Sequence, residues 1–193
     1  LAVVLRGAAV GGRDGQGNWQ ATVRSLQLQL QDAQLPGPWK LALAQPVRGS
    51  FTTATQQLQL GAAQAQLTGP RPGTAVLSWE PLNWQGGNAG SLRSKGALRN
   101  LPMEWMTLLA RADLAAAGLS GNLVFDGLWD VTIAERIVAR ASLARRSGDI
   151  RIQADAAAPA GPAGATVVDA GIRELQLLVD ADGDRVQARF NWE

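Results

Sequence analysis

Three aspartates at alternate positions, Asp180, Asp182 and Asp184, are the clearest candidates for metal chemistry in this chain. A calcium loop of the helix–loop–helix kind needs Gly at its sixth position and a bidentate Glu at its twelfth. Counted from Asp180, Gly183 is fourth and Asn191 twelfth, so a hairpin turn is the better reading. Asp126 and Asp130 could act as paired carboxylates. On one strand they would stand about 13 Å apart at about 3.3 Å per residue, and glycosidic acids must converge across a cleft. A solvated sheet face fits them better. The chain has no His and no Cys. That removes the commonest general base near neutrality and the commonest metal ligands. No G-x-S-x-G elbow is present, and a Ser–Lys pair would have to use Lys40 or Lys95, the only lysines. The glycines from Gly11 to Gly17 do not complete a dinucleotide fingerprint, because Gln20 stands where the third glycine is needed. The residues point away from catalysis, from metal ions and from any bound cofactor.

Composition narrows the class further. The 193 residues are 46% hydrophobic, enough to bury a core, and carry 18 basic and 16 acidic side chains. A net charge of +2 with scattered cations gives no footprint for nucleic acid. No apolar run reaches the length of a membrane-spanning helix, and no signal-peptide layout is present. The expectation is a single segment, residues 1–193, of a longer protein whose membrane anchor lies elsewhere.

The organising stretch is Leu119–Ala154. Leu119, Gly121, Leu123, Phe125, Gly127, Trp129, Val131 and Ile133 alternate with Ser120, Asn122, Asp126, Asp130 and Thr132. After Glu135 the alternation resumes, and Ser147-Gly148-Asp149 reads as a turn before Ile150 and Ile152. Period-two alternation of this kind predicts strands that are apolar on one side and polar on the other. The same pattern extends in both directions. Upstream it places Leu26, Leu28, Leu30, Leu41, Leu43, Leu58 and Leu60 on the apolar side; downstream it adds Leu175, Leu177, Val186 and Phe190. Outward positions are filled by Gln at Gln27, Gln29, Gln31, Gln56, Gln57 and Gln59. Trp79, Trp84 and Trp129 sit among inward apolar positions and read as packing residues. Only Pro102–Ala112 reads as a helix, with Pro102 at its first position and Glu104 and Arg111 complementing its dipole. Residues 156–164, AAAPAGPAG, read as a low-complexity loop.

Ten or more strands with one short helix leave no room for parallel crossovers. The expectation is an all-β protein. Its long antiparallel meander, with the helix near 102–112, must curl, close into a barrel or fold onto itself as a sandwich.

One stretch carries a resemblance. LNWQGGNAGSLRSKGALRNL from Leu82 to Leu101, the Pro102 helix, LSGNLVFDGLWDV from Leu119 and LARRSGDIRI from Leu143 follow one another in order. This order resembles the TamB family, the inner-membrane-anchored periplasmic component of the translocation and assembly module, within the AsmA-like group. The elements that carry it are Gly96 to Met103, Leu119 to Leu123 with Gly127 and Trp129, and Arg145 to Asp149. The match is strongest over residues 75–155 and compositional elsewhere, and no second copy of the block is clear. The resemblance implies an all-β sheet curled into a trough with an apolar inner face, akin to bridge-like lipid-transfer proteins of diderm bacteria, carrying phospholipid across the periplasm towards the outer membrane. It also implies an outer-membrane BamA-type barrel, TamA, as partner and a role in autotransporter assembly.

Three functions are then open. The apolar side could hold acyl chains. The trough or its edge could hold unfolded outer-membrane protein segments by strand addition. Or the apolar side could close on itself as a filled structural core. The candidate lining for acyl chains is the upstream and downstream residues named above together with Leu123, Phe125, Trp129, Val131, Ile133, Ile150 and Ile152.

Overall fold

A computed structural model of the chain describes residues 1–34, 36–87, 90–110, 119–153 and 167–193. The alternating segments form strands in chain order. They are β1 (Ala2–Arg13), β2 (Trp19–Gln31), β3 (Trp39–Leu43), β4 (Val47–Thr52), β5 (Gln57–Leu60), β6 (Ala63–Thr68), β7 (Ala75–Trp79) and β8 (Leu82–Gln85). There follow β9 (Ser91–Pro102), the helix α1 (Met103–Ala110), β10 (Leu119–Gly121), β11 (Val124–Ile133), β12 (Ile137–Ser147), β13 (Ile150–Gln153), β14 (Val167–Asp169), β15 (Leu175–Asp182) and β16 (Arg185–Trp192). Thirteen of these strands form one antiparallel sheet; β10, β13 and β14 form a second.

The large sheet is simpler than its strand count suggests. β3 and β4 both pair along one edge of β2, β6 with β3 and β5 with β4, β7 with β6 and β8 with β5. β7 and β8 then share one edge of β9. Each of β3/β4, β5/β6 and β7/β8 is therefore one long strand interrupted midway. The result is a ten-strand antiparallel meander, curled and not closed into a barrel.

The interruptions lie side by side: Ala44 to Pro46, Gly61-Ala62 and Glu80-Pro81. Pro46 and Pro81 have no N–H to give the ladder. Neighbouring backbone N–H groups bridge the breaks, Ala44 donating to Gln64 (2.8 Å), Gly61 to Arg48 (2.7 Å) and Glu80 to Lys95 (2.9 Å). On β2 the counterpart is a bulge, where Ala8 and Ala9 oppose Ser25 and Val23 and Arg24 is the extra residue. A one-residue slip moves every following side chain to the other face. Here the sequence parity slips at the same points, from Val23 to Leu26, Leu60 to Ala63 and Trp79 to Leu82. The two slips cancel, and most of the large apolar side chains stay on one face.

A second bulge does the same between β9 and β11. Phe125 opposes Leu101 while Gly127 opposes Leu98, so three residues of β9 span two of β11. Asn100 takes the extra position at φ +60°, a conformation that Asn tolerates better than most residues. Its N–H donates to Asp126 Oδ1 (2.9 Å), and its Oδ1 accepts from Arg146 Nη1 (2.7 Å). Asp126 thus fixes a bulge.

Two expectations are corrected. The strand read from Leu119 through Ile133 is broken at Asn122-Leu123. Asn122 pairs with Asp149, its N–H donating to Asp149 O (3.1 Å) and its Oδ1 accepting from Asp149 N (2.9 Å). Leu123 is only 2% exposed in the core beside Met103 and Phe125. In addition, Ile150 and Ile152 do not join the apolar face of the large sheet. Gly148, at φ +86°, turns the chain away after β12, and both residues belong to β13 in the small sheet. Ile150 packs against Met103, Leu123 and Phe125, whereas Ile152 is 45% exposed. The helix begins one residue after Pro102, at Met103; Arg111, Ala112 and the 156–164 loop lie outside the described residues.

Asp149 fastens the small sheet. Its carboxylate accepts N–H bonds from Ile150 (2.7 Å), Ile172 (3.1 Å) and Gly171 (2.9 Å). Desolvation pushes this carboxyl up. The donors at Ile172, Ile150 and Gly171, with the nearby Arg145 guanidinium, outweigh it and hold the group below the usual range. A carboxyl whose folded pKa is depressed stabilises the fold above its unfolded pKa, and that contribution disappears as pH falls through the folded value. Asp149→Asn should therefore lower the denaturation midpoint at neutral pH and flatten its decline below about pH 4. Denaturant titrations of both proteins across that range check this; parallel curves would show that Asp149 has no such role.

Candidate functional site

Directly opposed residues in an antiparallel sheet share a face, so the register shows what each face carries. Leu43, Ala65, Leu77, Leu98, Gly127, Leu143, Leu177 and Phe190 are successive cross-strand partners. Nearer α1, Leu5, Leu28, Leu41, Leu67 and Ala75 form a parallel row. Beside it Val3 pairs with Leu30 and Leu30 with Trp39, while Leu26 pairs with Gly7. Val131, Ala139, Ala181 and Val186 form another row, and Leu175 opposes Trp192. Beyond the interruptions, Leu60 opposes Gly49 and Leu82, and Leu58 opposes Phe51 and Trp84. Ile133 opposes Leu92. Every candidate lining residue on the large sheet therefore lies on one face, with Phe125 at its α1 end. Leu123, Ile150 and Ile152 lie off the sheet.

Two tryptophans on this face are held with their polar atoms satisfied. Trp129 Nε1 donates to Ser94 Oγ (3.1 Å) and Trp79 Nε1 to Gly61 O (3.1 Å). Trp129 lies against Gly96, where a Cβ would run into its ring and into Ser78 O. The glycine leaves room for the Trp129 indole against β9.

The opposite face is mainly polar, with an apolar patch at Ala97, Leu128 and Leu178. Glutamines 27, 29, 64 and 66 occupy it around Lys40. Lys95, Asp130, Arg140 and Asp180 are successive partners of alternating charge. Glu80 extends this row to Lys95 (3.1 Å), and Arg140 meets Asp180 at 3.7 Å. Asp130 and Asp180 thus belong to an exposed charge ladder, and Asp182 pairs with Arg136 (3.1 Å) beside the Gly183-Asp184 turn. Two open hollows, of about 730 and 630 Å³, lie on this polar face. One spans Ala97, Leu128 and Leu178, the other Thr22, Arg48 and Ser50.

The apolar face differs from a filled core. Its centre is tight: Ala63, Ala65 and Ala75 are buried. The Leu residues of the central rows are only half-buried, and its lateral edges are bare, with Leu5 65%, Val186 66% and Phe190 61% exposed. One end is closed. α1 sets Trp105, fully buried, edge-on to Trp39 with ring centroids 5.4 Å apart and planes at 87°. Trp105 Nε1 donates to Arg71 O (3.1 Å), and a Cβ on Gly69 would stand 2.8 Å from the Trp39 ring and 2.9 Å from Trp105. Met103 carries this closure into the cluster of Leu123 and Phe125.

Sequence reasoning missed that closure. Nothing in the spacing of Trp39 and Trp105 shows that they meet. No family model, curated protein or solved structure matches the chain.

Proposed function

We propose that this chain is a non-enzymatic segment of an apolar β-trough that holds phospholipid acyl chains. The observation that carries this reading is the register: ten successive strands keep most of their large apolar side chains on one face, through a bulge and two strand breaks that would otherwise invert it. Holding parity through each break has a cost in lost ladder bonds, which makes sense for a face that must stay uniformly apolar. Burying about fourteen methylenes at about 0.8 kcal/mol each would gain about 10 kcal/mol before ordering costs. Leu, Val and Ala offer no directional bonds, so a chain held there is free to slide. The TamB resemblance gives the same reading a setting: an inner-membrane-anchored protein in the periplasm, phospholipid cargo, and TamA engaged by other parts of the full-length protein. Outer-membrane protein assembly belongs to that setting.

A second reading, strand addition by unfolded polypeptide, is favoured by one observation. Among the described residues β1 and β16 are unpaired edges of twelve and eight residues, and unpaired edges template further strands. Mass spectrometry of gently extracted protein separates the two. Stoichiometric phospholipid is the expected result; polypeptide adducts with no lipid would favour the second.

A further inference from the structure

At the end of the sheet opposite α1, the last apolar residue of each strand falls in a single line. Trp19, Phe51, Leu58, Trp84, Leu92 and Ile133 are successive cross-strand partners on β2, β4, β5, β8, β9 and β11. They lie on the apolar face. Trp19 is 51% exposed, and Leu58, Trp84 and Ile133 are each 39% exposed. Immediately beyond them the chain turns through polar segments, among them Asp14 to Asn18, Thr53 to Gln56 and Ala134 to Arg136. At the β1 end of the line the Arg13 guanidinium lies 5.4 Å from the centre of the Trp19 ring.

A continuous apolar line with indoles at strand ends, a cation beside one of them and polar turns beyond is the pattern by which proteins seat at a lipid–water boundary. Indoles favour the headgroup level, and a guanidinium there can meet phosphate. We infer that this rim seats against a phospholipid surface, so that chains leaving that surface meet Leu60 and Leu82 next and then the apolar face. The choice of a lipid surface as occupant rests on the lipid-holding function proposed above. The two ends of the trough then differ in kind: one sealed by Trp105, the other an uncovered lip.

The chain lacks Cys, so single labels can be placed on adjacent residues of opposite faces. Leu58→Cys and Gln59→Cys, each carrying an environment-sensitive nitrobenzoxadiazole, would be mixed with vesicles of equal parts phosphatidylcholine and phosphatidylglycerol. The expected result is a blue shift and a rise of about twofold or more at position 58, with position 59 unchanged. No response at 58, or equal responses at both, overturns the inference. A response at 58 that grows with protein concentration without vesicles assigns the rim to a second copy and also overturns it. The two proposals fail separately: co-purified phospholipid with a silent rim leaves the lipid-holding function intact, whereas a responsive rim on a lipid-free protein removes that function and leaves a peripheral docking surface.

Discussion

Trp105→Ala should lower stability by about 3–5 kcal/mol, the range for removing a large aromatic from a packed site. Trp105 is the only large side chain of the described residues with no exposed surface. It contacts Trp39 at the end of β3, fills the space left by Gly69 and ties α1 to the loop at Arg71. Its loss should leave a cavity, an unpaired Arg71 carbonyl and a bare Trp39 ring. Trp84→Ala makes the contrast, because that ring is 39% exposed and should cost about 1 kcal/mol. Chemical denaturation of both variants checks the difference. Equal losses would mean that α1 does not seal the sheet end. Trp105→Phe, which keeps the aromatic volume in part and drops the Arg71 bond, should fall between them.

The second large effect concerns the face itself. Leu98→Asp should reduce retained phospholipid by about tenfold or more, whereas Ala97→Asp should leave it unchanged. Leu98 lies at the centre of the leucine row, opposed by Leu77 and Gly127. A carboxylate there must keep its water, which excludes an acyl chain from that row, and a tenfold loss needs only about 1.4 kcal/mol. Ala97 is one residue away on the other face, between Ser78 and Leu128. Since both variants place the same charge on the same strand, circular dichroism should report similar sheet content. Equal loss of lipid from both would point to destabilisation and away from a role of the apolar face.

Much of this architecture was legible because alternation is a direct image of the pleat. The span Trp19–Gln31 reads as one strand and stands so in the structure, whereas the turn read across Asp180 to Asp184 narrows to Gly183-Asp184, with Asp180 and Asp182 in β15. The apolar set from Leu26 to Phe190 could be listed without coordinates. The small sheet could not. Ile150 and Ile152 alternate like their neighbours, and only the positive φ of Gly148 and the Asp149 donor set turn them away. Local pattern also could not place Leu123, which continues the alternation of Phe125 but sits in a break closed by Asn122 and Asp149. The parity slips at Gly61-Ala62 and Pro81 look in sequence like strand ends. That they lie abreast, so that each long strand is interrupted at one level of the sheet, is a property of pairing between distant segments. The rim line from Trp19 to Ile133 has the same origin. Its members are scattered over more than a hundred residues and become one feature only through register.

Photo-crosslinking from adjacent positions tests most directly whether the apolar face holds acyl chains. A benzophenone side chain placed at Leu28 or at Gln29, and likewise at Val131 or Thr132, would be activated in cells before extraction. Each pair differs only in the face it occupies. Phospholipid adducts at Leu28 and Val131, with none at Gln29 and Thr132, are the expected result. Adducts at all four positions, or polypeptide alone captured at Leu28 and Val131, would contradict the account.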